Sequence, residues 1–446
     1  MRTHLDITDL LEFLCAGDVL HGVQNVTHQL ILQLRDRGQA QLIGFHPIHG
    51  RLFSLDPAQA SRETLADVIS FKALFGLDGR RPVKSPSAIR HRHPTRPVRR
   101  RFEHAKRWLR LRLRAPRAPA RPLVLHADIR GFAIAPGDPV IAPGLNVWYP
   151  EHNRSLGAHV RAQDGRLVVV VHDLGPLTAA QYFPESYQAA FRGWIESLFP
   201  YADLFVADSE HTRREMQAVA PELRRADCVV NLLAHEFPNA LLHDGSNVAA
   251  ALRPEVAQLK DYVLHVGRIE PRKNMVGLIK VWALLADELG PALPLLVLAG
   301  RMNDPSGAFA SALRSAGPAA GRIRFVKDPS AAELARLYAG CRFAVYPSFY
   351  EGWGLPVGEA ACFGKVTAAS GAASIPEVVG DLAVYFDPHD LNEMAEVLRR
   401  LIVDHAYLAA LEARIMSDFH PRSWADCARR LLAIADGKGG QGDCSG

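Results

Sequence analysis

The feature that most constrains this chain is its alternation of short, continuously apolar β-rich runs with amphipathic helical stretches. LVVVV at 167–171 and LLVLA at 295–299 have no polar residue on either face, which marks strands buried on both sides, as in a parallel sheet covered by helices. The pattern runs through the first half as HLDIT, QLIGFHP, LVLHAD, LVVVVHD and LFVAD. It continues in the second half as YVLHVG, PLLVLAG, IRFVKD, RFAVYPS, KVTAAS and LAVYFD, most of them followed by a helical stretch. Strand–helix alternation over the whole length predicts an α/β protein built from doubly wound sheets.

At 446 residues the chain is long for one core and suits two domains. An irregular Pro- and Gly-containing stretch near 235–260 sets the boundary. We expect a first domain over 1–240 carrying an insert at about 80–122, a linker over 241–261, a second domain over 262–410, C-terminal helices over 411–436 and a flexible tail over 437–446. No apolar run reaches the roughly 20 residues that a spanning helix needs. Asp6, Asp9 and Glu12 interrupt the apolar N-terminus, so it does not read as a signal peptide. The six cysteines form no Cys-x-x-Cys pair, which speaks against a disulfide framework or a zinc ribbon and for a cytoplasmic location.

The net charge of +5 hides an asymmetry. Between Arg80 and Pro122 lie sixteen Lys plus Arg and one acid, Glu103, which leaves 36 bases against 46 acids elsewhere. The protein is an acidic globule with a basic insert, so its bases do not form the spread footprint of a nucleic-acid binder. Within RRRFEHAKRWLRLRLR at 99–114, Phe102, Ala105, Leu109 and Leu113 fall on one helical face widened by Trp108. A basic amphipathic helix predicts docking on an anionic membrane surface through Arg99, Arg100, Arg101, Lys106, Arg107, Trp108 and Arg110. The alternative is a solvated loop.

No Gly-x-Gly-x-x-Gly follows a strand, and there is no phosphate loop, Gly-x-Ser-x-Gly elbow or Asp-x-Asp metal clamp. Four other constellations carry chemistry. HVGRIEPRKN at 265–274 follows a strand and places Arg268 and Lys273 where parallel sheets bind ligands. Two cations there suit a diphosphate, or else form a solvated basic loop. PSFYEGWGLPVGEAACFG at 347–364 carries Glu351 on a loop and Glu359 on the following helix, whose start near Gly354 and Leu355 offers free N–H groups to a phosphate. Ser348 and Glu351 also scan as a capping box, and Glu359 as a partner of the helix dipole. His172 ends the LVVVV strand and either meets a substrate hydroxyl or packs as a structural histidine. Gly22 lies at a strand-to-helix turn, where glycine is as readily a matter of backbone geometry.

HVGRIEPRKN, YPSFYEGWGLPVGEA and SIPEVVGDLAVYFDP, in that order, resemble the retaining glycosyltransferases of family four, nearest their bacterial polysaccharide mannosyltransferase branch. The likeness is dense over 262–403. It is thinner over LDITDLL, GVQNVTHQL, VVVVHDLGP and VADSEHTRREM. It implies the GT-B fold: two Rossmann-like domains facing a cleft. It also implies a nucleotide-sugar donor, GDP-mannose among the candidates, a glycan or lipid-linked acceptor, and no metal or other cofactor. By the same resemblance Arg268 and Lys273 bind the donor diphosphate, the Gly354–Leu355 backbone caps it, and Glu359 holds the ribose. Glu351 and His172 face the transferred sugar as catalytic residues, and Gly22 lies near the diphosphate. The chain departs from the family in having one glycine, not two, at the Gly22 turn, and Gly364-Lys365-Val366-Thr367 after the second glutamate. The expected activity is hexose transfer to a cell-surface polysaccharide at the inner face of the cytoplasmic membrane. The alternatives are a lipopolysaccharide-core or phosphoinositol transferase, or a silent scaffold of this fold.

Overall fold

The computed structural model describes residues 2–15, 20, 22–35, 40–46, 51–77, 101, 103, 105–106, 109, 123–126, 132–219, 226–237, 252–304 and 306–438. The chain divides into two compact units. The first takes residues 1–208, 212–232 and 424–446; the second takes 209–211 and 233–423.

The second unit is a six-stranded, wholly parallel sheet of β9 (Tyr262–Val266), β10 (Leu295–Gly300), β11 (Ile323–Lys327), β12 (Ala344–Tyr346), β13 (Thr367–Ser370) and β14 (Val384–Phe386). Its order is β11-β10-β9-β12-β13-β14. Successive side chains of a strand point to opposite faces, and here both faces are cores. Val263, Leu296 and Leu298 pack with Trp282 and Leu278 of the helix Met275–Leu289. Tyr262, Leu264, Val297 and Ala299 pack on the other side with Leu337 and Tyr338. That accounts for the absence of polar residues in these runs. Strand order reverses between β9 and β12, so the loops leaving those strands flank the switch point where open α/β sheets bind ligands.

The first unit holds an eight-stranded sheet of β1 (Thr3–Asp6), β2 (Ala40–Phe45), β3 (Leu52–Leu55), β4 (Val124–Leu125), β5 (Pro139–Ala142), β6 (Arg166–Val171), β7 (Leu204–Ala207) and β8 (Asp227–Val230), in the order β4-β3-β2-β1-β5-β6-β7-β8. The sheet is not wholly parallel, because β3 runs antiparallel to both β2 and β4. β3, β5 and β8 are not among the runs read from the sequence. The last helix, Trp424–Ala435, packs against the helix Val23–Arg35, and its Ala435 carbonyl accepts from Arg166 Nη1 at 2.9 Å. The C-terminal helices that follow one another in sequence therefore serve different units.

Arg101, Glu103, Ala105, Lys106 and Leu109 of the basic insert are helical, with Leu109 exposed and Lys106 3.8 Å from Glu103. Arg99, Arg100, Arg107, Trp108 and Arg110 lie outside the described residues. Among the described residues no helix is long and apolar enough to cross a membrane.

Candidate active site

The loop leaving β9 is shaped by a close backbone crossing. A Cβ on Gly300 would sit 2.0 Å from the Gly267 carbonyl oxygen, so only glycine fits at the end of β10. Gly267 N–H donates to Ala299 O at 2.9 Å and Ile269 N–H to Arg301 O at 2.8 Å. A 3-10 turn, Pro271–Lys273, then leads to Asn274, whose left-handed backbone (φ 56°) turns the chain into the next helix. Its side chain caps that helix by accepting from Gly277 N at 3.2 Å.

Phe349 N–H donates to Arg272 O at 2.9 Å and so ties the loop after β12 to the loop after β9. Ser374 Oγ donates to the carbonyls of Glu351 and Trp353 at 2.8 and 3.1 Å. Ser370 Oγ donates to Ser348 O at 2.6 Å. The helix carrying Glu359 begins only at Leu355, with Gly354 (φ 126°) preceding it and Pro356 in its first turn. Ser348 and Glu351 therefore do not form a capping box. The capping box of this unit is Ser330 with Glu333.

Of the expected site residues, Arg268, Lys273, Gly354 and Leu355 for the donor and Glu351 for catalysis lie on these two linked loops and at the helix start that ends the second. Lys273 Nζ lies 2.6 Å from Glu351 Oε1, and both side chains are buried. Lys273 also donates to the Tyr346 hydroxyl at 2.6 Å. The other Glu351 oxygen accepts from Arg272 Nη1. Arg272 Nη1 also reaches Tyr350 O at 2.9 Å, and Nη2 reaches Glu270 Oε1 at 2.8 Å. Burial pushes the Glu351 carboxyl up, but the Arg272 and Lys273 charges outweigh it and hold it down at about 2. Burial lowers the Lys273 ammonium against the pull of Glu351. His265, stacked on Tyr346, donates from Nδ1 to Val345 O at 3.1 Å, and burial followed by Lys273 pushes it down to about 3. Arg268 is exposed and, among the described residues, forms no ion pair. Glu270, Arg272, Glu351 and Lys273 balance in charge, and with Arg268, whose charge also acts on Glu270, the group of described residues carries a net +1.

Glu359 lies beyond the first turn of its helix and receives a hydrogen bond from the buried Tyr338 hydroxyl at 2.7 Å, which is not a helix-dipole arrangement. Burial raises its carboxyl against that bond.

His172 stands in the first unit, where its ring contacts match the structural alternative. Its Nε2–H donates to Pro143 O at 2.6 Å and its Nδ1–H to the Asp208 carboxylate. With both nitrogens donating, the ring is an imidazolium and has no free N–H for a sugar. Burial pushes its pKa down, but Asp208 outweighs it and lifts it to about 9. The contacts present are those of a structural histidine tying β5, β6 and β7 together. Gly22, exposed at φ 50°, precedes the helix Val23–Arg35, and its carbonyl accepts from Val26 N at 3.1 Å. Sequence reasoning passed over Arg272 and Glu270, which lie inside the same loop motif, and over Asp208, Tyr338 and Tyr346, which only the packing brings to their partners. Among the described residues no cluster of His, Cys, Asp or Glu has the makings of a metal site.

Residues 253–415 match the family model of the glycosyl transferases group 1. O-antigen chain mannosyltransferase B of Escherichia coli is 27% identical over 60% of this chain and 69% of its own length. The serotype-specific mannosyltransferase WbdA of Escherichia coli is 28% identical over 68% of this chain, which spans only 37% of that longer protein. Anabaena Alr3699/HepE, solved with UDP and glucose, superposes with a TM-score of 0.60 at 16% identity, covering 98% of this chain and all of that one. The chain has the GT-B fold. Its second unit carries the glycosyl transferases group 1 pattern, and the chain is similar to bacterial polysaccharide mannosyltransferases.

Proposed function

We propose that this enzyme transfers a hexose, mannose or a close relative, from a nucleotide-sugar to a cell-surface polysaccharide or lipid-linked glycan, with retention and without a metal ion. GDP-mannose is the first donor to try, since O-antigen chain mannosyltransferase B and WbdA are both named as mannosyltransferases. The observation that carries the reading is the buried Lys273–Glu351 pair on linked loops at the switch point. A buried ion pair is roughly neutral for stability against apolar residues of the same size, so a mere scaffold gains little from keeping one. Breaking a sugar–diphosphate bond builds negative charge on the leaving group and positive charge on the sugar. Arg268, Lys273 and the N–H groups at Leu355 answer the first, and the Glu351 carboxylate the second. In this reading Glu359 bonds the donor ribose, and the leaving phosphate itself takes the acceptor proton. The basic insert holds the enzyme at the inner face of the cytoplasmic membrane.

The test is a screen of common nucleotide-sugars with a lipid-linked acceptor, following nucleoside diphosphate release with and without excess chelator. Donor-specific release that survives chelation, with the anomeric configuration preserved by NMR, is expected. Inversion would overturn the retaining mechanism. Activity lost with chelator and restored by manganese or magnesium would overturn metal independence.

A further inference from the structure

The two cations on Glu351 are chemically unequal. Lys273 is a point charge on a four-carbon stem, whereas Arg272 is a planar fork seated on Glu351, Glu270 and the Tyr350 carbonyl. The Arg272 carbonyl also receives the Phe349 N–H, so one residue holds the Glu351 loop by main chain and side chain. A diphosphate that draws Lys273 to itself removes one of the two cationic partners of a buried carboxylate. A carboxylate left unpaired in such a place takes up a proton and loses its geometry. Glu351 is faced by Glu270, Arg272, Lys273, His265 and Tyr346. Of these only Arg272 remains as a cation once Lys273 has turned, because burial keeps His265 neutral.

We propose that Arg272 is a positioning residue of the donor site, holding Glu351 ionised and in register while Lys273 is handed to the donor diphosphate. This rests on reading Lys273 as a diphosphate ligand and Glu351 as the group that faces the sugar.

The test compares full-length wild type, Arg272→Gln and Arg272→Lys by calorimetric titration with GDP and UDP near neutral pH, in buffers of different ionisation enthalpy, and by donor kinetics. Wild type should bind with no proton uptake. Arg272→Gln should take up a proton on binding. Its kcat should fall between about ten- and a hundredfold with donor KM little changed, and the acid limb of its kcat profile should move to higher pH. Arg272→Lys, which keeps the charge and loses the fork, should bind without uptake and recover part of kcat. A purely structural salt bridge predicts a lower melting temperature alone. An Arg272→Gln enzyme with wild-type proton count and a superimposable pH profile would overturn the proposal. Should that variant not fold, wild-type kcat in Arg272→Lys would do the same. Failure of wild type to bind either nucleotide, or to turn over any nucleotide-sugar, would overturn the donor-site reading itself, and the proposal with it.

Discussion

Lys273 and Glu351 are expensive residues to bury, and each is tolerable only because the other is present. Lys273→Ala leaves Glu351 with Arg272 as its one remaining cation among the described residues and should cost about 3 kcal/mol. Removing both together should cost less than the sum of the two single variants, which denaturant titration of the three variants measures as a coupling energy. In activity the paired glutamates should separate. Glu359→Ala should mainly raise donor KM, since a ribose contact changes little during reaction, whereas Glu351→Ala should mainly lower kcat. His172 yields a pH prediction. Its folded-state pKa of about 9 stands above the ordinary 6.5. The stability it contributes is therefore complete below about 6.5 and lost as pH rises through about 9. Thermal melts should show wild type weakening across that interval. Asp208→Asn, which removes the charge that lifts the imidazolium, should be less stable at neutral pH and flatter above it. Parallel curves for the two proteins would show that this pair is not the source of the slope.

Among the elements, the helix Met275–Leu289 controls where the β9 loop ends. Asn274 caps it from a left-handed backbone, and its Nδ2 also donates to Pro388 O at 2.9 Å. Asn274→Ala loses the cap, at about 1 kcal/mol, and puts alanine in a left-handed conformation that asparagine tolerates better. Asn274→Gly loses the side-chain bonds but suits the backbone, so it should be the milder change in urea unfolding. If alanine proved the milder, helix propensity rather than turn geometry would govern this junction.

For the whole molecule, charge distribution matters more than net charge. Sixteen bases sit in a basic insert of a chain whose remainder is acidic. Each Lys or Arg near anionic lipid contributes about 1 kcal/mol and is screened by salt. Wild type should sediment with anionic vesicles at low salt and be released as salt rises. A variant lacking residues 90–120 should stay unbound and still use a soluble acceptor mimic, because no expected donor-site residue lies there. Equal sedimentation of both proteins would reduce the insert to a solvated loop.

The architecture was legible because burial on both faces of a parallel sheet writes itself into sequence as unbroken apolar runs, and because Gly267, Arg268 and Lys273 follow one such run directly. Glu351 and Glu359 follow another such run, three strands later in the chain. β5 and β8 were not legible, since β5 opens on a proline and β8 is half-exposed and lacks an unbroken apolar run. Nor does sequence order show that Trp424–Ala435 returns to the first unit, because a helix's apolar stripe states that it packs without stating against what. Only the tertiary structure decided how the charges pair. Glu351 and Lys273 are 78 positions apart in sequence and 2.6 Å apart in space. His172 was readable either as a substrate contact or as a structural histidine, and only packing showed Asp208 and Pro143 taking both its nitrogens. Residue type and local spacing state which groups are able to ionise or bond. Which partner each group meets, and therefore its charge and its freedom to act, is set by long-range packing.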